Sequence, residues 1–225
     1  MRPVEKGIAP KVYTQHDNAR HDLASRIGYY CSYCEMGVNN MIEVEHVQPV
    51  NKGGAALNWK NFLLSCRYCN ALKSDNNSSR AGYLWPDIDN TDLAFDYSEI
   101  NVIEPNIFLP DNVKIYAQAT IGLMGLDRKP GGTIVPRFSD TRWRSREEVW
   151  TIAKDNYNNW LDAPVPAMAR AIASCSLIGH YSIWHEVFKS ISIVKTEIDI
   201  VYSAKGLFKQ MNPEGIRIRR LNANI

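Results

Sequence analysis

The pattern of apolar and polar positions divides this chain into a short strand-bearing region and a longer helical one. Residues Met41 to Val47 are rich in branched and apolar side chains, Pro49 ends the run, and Lys52-Gly53-Gly54 supplies turn chemistry. Phe62-Leu63-Leu64-Ser65 reads as the return strand. A short helical stretch follows, Cys69-Asn70-Ala71-Leu72-Lys73-Ser74, in which Asn70 and Lys73 stand three apart and share a face. Later, Asn112 to Leu126 carries helical apolar spacing, and Ser145-x-x-Glu148 is a capping box opening a helix toward Trp160. Pro166 suits the first turn of a helix over Ala167 to Ser176, and Tyr181 to Ile191 reads as another. Ile193 to Tyr202 alternates, which favours a strand. The predicted class is α+β. Its parts are an N-terminal arm (1–26), a strand-strand-helix module (27–80), an acidic connector (81–111) and a mainly helical C-terminal region (112–225).

Composition sets outer bounds. At 225 residues and 45% hydrophobic, the chain can bury one substantial core and a satellite unit. No apolar stretch approaches the roughly 20 residues of a membrane span. Nothing resembling a secretory signal opens it, which predicts a cytoplasmic protein with reduced thiols. The net charge of +2 is modest for a nucleic-acid binder, so positive surface must come from local segregation. Residues 81–113 contain no Lys or Arg, whereas Arg128, Lys129, Arg137, Arg142, Arg144 and Arg146 crowd a later stretch. The run Arg142-Trp143-Arg144-Ser145-Arg146 reads equally as a grip on a nucleic-acid backbone and as a basic helix start with Trp143 in the core.

The chemistry concentrates between Cys31 and Lys73. Cys31/Cys34 and Cys66/Cys69 form two C-x2-C pairs, whose tight knuckles can bring four thiolates to one structural zinc ion. The fifth cysteine, Cys175, lies among Ala and Ile and reads as a small buried hydrophobe. His46 is the one histidine expected near the cluster, with an unperturbed pKa suited to a general base. Glu45 and Asn70 offer oxygen ligands that suit Mg²⁺ or Mn²⁺. His16 and His21 read as solvent-facing, and His180 and His185 as packing against Tyr181 and Trp184. Glu43 shares a face with Glu45 but reads as solvated strand charge.

Taken in order, Glu45-His46-Val47-x-Pro49, Gly53-Gly54 and Asn61-x-x-Leu64-x-Cys66-x-x-Cys69-Asn70-x-x-Lys73 resemble the HNH endonuclease family in its zinc-knuckle form. The resemblance implies a ββα-metal core and a metal-dependent endonuclease that hydrolyses phosphodiester bonds in DNA. Asn61 would then fix His46 through backbone hydrogen bonds, with Asn58 the alternative occupant of that role. Lys73, Arg67 and Lys52 would contact nucleic acid. Many members carry His where Asn70 stands, so metal binding without substrate phosphate is expected to be weak. Strand alternation points Glu45 and His46 to opposite faces, and a bend near Val47 to Pro49 is required to bring both to one cleft. An RNase of the same fold, including a tRNA-directed one, and a non-catalytic zinc module are the alternative readings. More loosely, the Met1-Arg2-Pro3-Val4-x-Lys6-Gly7 opening, the early knuckle core and the helical tail with Thr120-Ile121-Gly122-Leu123-Met124-Gly125-Leu126-Asp127 together resemble the PtuB family of HNH nuclease subunits in Septu-type bacterial anti-phage systems. That resemblance implies an ATPase partner of the PtuA type, docked on residues 112–225, which holds the nuclease quiet.

Overall fold

A computed structural model describes residues 1–99 and 102–225; positions 100 and 101, within the acidic stretch, lie outside the described residues. A 3-10 turn at His16–Ala19 leads into α1 (Arg20–Ile27), which buries Leu23, Ala24 and Ile27. Strands β1 (Glu43–His46) and β2 (Phe62–Ser65) pair antiparallel, with Glu45 opposite Leu63 and His46 opposite Phe62. All four residues of β2 are buried, because α1 and α2 (Arg67–Lys73) both pack on this two-stranded sheet. The chain passes from β2 into α2 through Cys66, whose Sγ accepts from the Cys69 amide at 3.4 Å and so caps the helix. Strand, strand and helix thus follow one another as the apolar pattern predicts.

The turn between the strands depends on glycine at two points. Gly53 has φ 82°, a left-handed conformation that costs other residues more. At Gly54 an added Cβ would sit 2.0 Å from the Gln48 carbonyl oxygen, so the chain can fold this closely over Gln48 only without a side chain.

The acidic stretch contributes a second small sheet, β3 (Phe95–Tyr97) against β4 (Ile103–Pro105). Five helices follow: α3 (Asp111–Met124), α4 (Arg142–Asp162), α5 (Pro166–Ser176), α6 (Tyr181–Val187) and α7 (Ser192–Ser203). Three expectations need correction. Where alternation favours a strand, α7 is a helix that buries Val194, Ile198 and Tyr202 at a spacing of four and leaves Ile193 and Ile200 exposed. Helix α4 begins at Arg142 rather than after Ser145, and the Ser145 hydroxyl lies 2.9 Å from His180 Nε2 instead of capping. Cys175 is exposed, because α5 turns Ala169, Ile172, Ala173 and Ser176 inward.

One continuous apolar core draws on every stretch of the chain: Val4 from the arm, Phe62 and Leu63 from β2, Trp85 and Phe95 from the acidic stretch, and Ile172 and Trp184 from the helices. The arm is pinned beneath β2 by buried Lys6, whose ammonium donates to the Phe62 carbonyl at 2.7 Å and pairs with Asp87 at 2.9 Å. Asp87 also takes Arg80, and Asp92 takes Arg217. Two of the carboxylates in the acidic stretch, Asp87 and Asp92, are therefore neutralised internally. Among the described residues, no helix is long and apolar enough to cross a membrane.

Candidate active site and metal centre

The four cysteines of the two knuckles converge. Their sulfurs are buried and lie within 4.8 Å of one another, the only group of three or more such metal-binding side chains among the described residues. Cys34 and Cys66 Sγ are 3.7 Å apart. Tetrahedral zinc with Zn–S bonds of about 2.3 Å needs sulfurs about 3.8 Å apart, so the donor set fits a closed four-thiolate site. Two contacts from the helical region brace it. Arg142, 1% exposed, donates from Nη1 to Cys69 Sγ at 3.0 Å and to the Met124 carbonyl at 2.7 Å, while Asp140 grips its Nε at 2.9 Å and Nη2 at 2.8 Å. Burial works against the Arg142 charge, but Cys69 and Asp140 more than offset it and raise its pKa. On the other side, Glu35 follows the first knuckle with φ 65° and receives the Ser182 amide at 3.0 Å and hydroxyl at 2.7 Å. Gly179 permits that approach, since a Cβ there would stand 2.8 Å from the Glu35 carbonyl oxygen.

A cleft of about 420 Å³ opens beside this frame, bordered by Glu45, His46, Asn70 and Lys73 together with Pro49 to Asn51. Glu45 is 2% exposed, and neither of its oxygens accepts an aligned hydrogen bond, although Lys73 Nζ stands 3.0 Å from Oε2. Burial pushes its carboxyl up to about 7, against the pull of Lys73. Asn70 donates from Nδ2 to Glu43 Oε2 at 2.7 Å. Since a carboxylate can only accept here, this bond fixes the amide and leaves Asn70 Oδ1 as a free acceptor. A buried carboxylate paired with Lys73 and an oriented amide oxygen on one cleft are hard oxygen donors of the type that suits a divalent cation whose remaining ligands are water or phosphate.

His46 closes the other end of the cleft. Its Nε2 lies 2.8 Å from the Ala56 carbonyl oxygen, which requires a donor, so Nε2 carries the proton and Nδ1 keeps its lone pair. Burial lowers the His46 pKa and favours this neutral form. Asn61 holds the segments on either side of that bond. It accepts from the Gln48 amide at 2.8 Å and donates to the Gln48 and Ala55 carbonyls at 2.9 and 3.2 Å. Asn58 instead caps the 3-10 turn at Trp59–Asn61 by accepting from the Lys60 amide. With β1 ending at His46, both Glu45 and His46 border one cleft despite their opposite strand faces.

Other residues sit differently from their sequence reading. Lys73 is 1% exposed, and its ammonium is committed to Glu45 and to the His46 carbonyl at 2.7 Å, so it works as a buried counter-charge rather than an open phosphate contact. Lys52 and Arg67 are exposed. Glu43 is not merely solvated charge, since it orients Asn70. His16 stands with its ring 4.9 Å from that of His46, so His46 is not alone; nothing local in the sequence signals this, because the arm must fold back to bring them together. The basic run at the start of α4 divides by helical period: Arg142 and Arg146 are buried toward the cysteines, and Arg144 is exposed beside Glu148.

Residues 31–76 match the family model for HNH endonuclease. A domain of a nuclease family therefore coincides with the two knuckles, the β1–β2 pair and α2. No curated protein matches the chain at a significant level.

Proposed function

We propose that the chain is a divalent-metal-dependent endonuclease acting on DNA. The observation that carries this reading is the convergence on one cleft of a buried carboxylate paired with Lys73, an oriented amide oxygen and an imidazole with a free Nδ1. Glu45 and Asn70 would hold Mg²⁺ or Mn²⁺, which supplies charge neutralisation at the phosphoryl oxygens. His46 Nδ1 takes the proton of the attacking water, and its Nε2–H is held by Ala56 so that the ring cannot turn away. Asn61 positions the backbone that presents both groups. Lys73 pulls Glu45 toward its ionised form, against the effect of burial, and holds it in place. The four cysteines hold structural zinc, which sets the angle between β2 and α2. Exposed Lys52, next to Asn51 on the cleft border, serves as a phosphate contact, whereas Arg67 stands on the other flank of α2.

The looser resemblance supports a further placing of the chain as the effector nuclease of an anti-phage complex, gated by an ATPase of the PtuA type. Relaxation of supercoiled plasmid with Mg²⁺ or Mn²⁺, alongside single-stranded RNA and tRNA, tests the activity and its substrate. His46→Ala should lose at least about 100-fold in rate, the usual worth of a positioned general base, while zinc content and melting stay near wild type. Full cleavage by that variant would move the active site elsewhere. Cleavage of RNA in preference to plasmid would replace DNA as the substrate.

A further inference from the structure

A second groove, of about 580 Å³, runs along the opposite flank of α2 from the cleft. Its apolar wall is formed by Met36, Val38 and Met41 from the first knuckle region and by Tyr68, Ala71 and Leu72 from α2. Three arginines, Arg67, Arg128 and Arg137, stand on its border. None of the three guanidinium groups has an ion-pair or hydrogen-bond partner among the described residues, and Arg128 Nε is buried without one. The acid on the border, Asp140, is already engaged by Arg142. Residues 127–141 form a long connection without regular structure, and it exposes Ile134 (48%), Val135 (64%) and Phe138 (105%), while Met41 at the groove is 66% exposed. Connections of this length inside a compact chain are uncommon and mostly functional.

From these observations we infer that the groove is a docking surface for an acidic amphipathic segment of a partner protein. Aliphatic side chains dominate the wall, and burying them requires an apolar counterpart. Most of the apolar surface a nucleic-acid strand offers is unstacked base faces, which bind aromatic platforms, and Tyr68 is the one aromatic ring in the lining. A helix or extended segment with large apolar residues at alternate turns and carboxylates between them would fill the wall and answer the three guanidinium groups in forked pairs. Occupancy would press on the face of α2 that carries Arg67, Ala71 and Leu72, while Asn70 on the same helix borders the cleft. The inference stands whether or not the chain cuts DNA.

The test uses the full chain and a designed fluorescent peptide, with Leu or Phe at helical i, i+3, i+4 and i+7 positions and Glu at the intervening ones. Anisotropy should show binding with a dissociation constant at or below about 100 μM. Arg67→Glu with Arg137→Glu should weaken it at least tenfold, and Met41→Ser should weaken it without any charge change. All three positions are exposed or partly exposed, so zinc content and melting should stay unchanged, which separates lost docking from lost fold. A peptide with Lys in place of Glu should not bind. The inference is overturned if the acidic peptide shows no binding up to 1 mM. It is equally overturned if the arginine reversals leave peptide binding intact but abolish binding of single-stranded or duplex oligonucleotides, since the groove would then be a nucleic-acid path.

Discussion

Replacing Arg142 with methionine removes the guanidinium and keeps most of the side-chain volume. In the folded chain this leaves Asp140, 6% exposed, without its forked partner, strips Met124 and Gly125 of donors for their carbonyls at the end of α3, and takes a hydrogen bond from Cys69 Sγ. Breaking a buried ion pair by deleting one partner costs about 3–5 kcal/mol, most of it the burden of the remaining charge. The carbonyls add to this, each on the order of 1 kcal/mol, although Asp140 can relax toward solvent and the terms do not sum. For a chain of this size, about 4 kcal/mol corresponds to a fall in melting temperature on the order of 10 °C. Loss of a group supporting a metal ligand should also lower zinc affinity by about 10–100-fold. Thermal melts and the rate of zinc transfer to a colorimetric chelator measure the two effects separately. The double variant Asp140→Leu with Arg142→Met should recover much of the stability, because an apolar pair of similar volume replaces the ions, but not the zinc affinity. If Arg142→Met melts with wild type, holds zinc as tightly and loses only DNA binding, Arg142 faces nucleic acid and the bracing role is refuted.

Two further expectations concern the cleft. Glu43→Ala frees the Asn70 amide to rotate and should cut Mn²⁺ affinity and cleavage by about 10–100-fold, whereas Glu43→Gln, which still offers an accepting oxygen, should retain most of both; equal loss in the two variants would show that charge and not orientation matters. Because the Glu45 carboxyl is raised to about 7, a bound cation must displace its proton, so apparent Mn²⁺ affinity followed by calorimetry should rise about tenfold per pH unit below 7 and level off above it, and a flat profile would exclude Glu45 as ligand. The same shift has the opposite sign for stability: the metal-free fold gains from protonated Glu45 at low pH, and that contribution is lost as pH rises through about 7.

The strand-strand-helix order and the knuckle pairing were legible because each rests on short-range signals: an apolar run ended by proline, a glycine pair, and cysteines two residues apart. Asn61 and Asn70 could be placed near the strands for the same reason. What the sequence could not reveal depends on distant packing. The Ile193 to Tyr202 segment alternates over part of its length, and only its docking against α5 and α6 selects the helical face that buries Val194, Ile198 and Tyr202. Lys73 carries an ordinary surface residue type, and its burial follows from Glu45 lying under α2. The partnership of His16 with His46 requires the arm to cross the sheet, a contact with no periodic trace.

Glu35 and Arg142 also bear on how freely this motif could be moved between proteins. The segment that matches the family model ends at residue 76, yet Arg142, held by Asp140 and bonded to Cys69 Sγ, and Ser182, bonded to the Glu35 carboxylate beside the first knuckle, come from far outside it. An excised segment would carry the ligands without their electrostatic support and would open the apolar face under Tyr33 and Phe62 to water. In this chain the knuckles therefore lean on α4 and α6. Sequence drift at Asp140 or Ser182, positions without any catalytic signature, should be as constrained as drift beside the cysteines themselves.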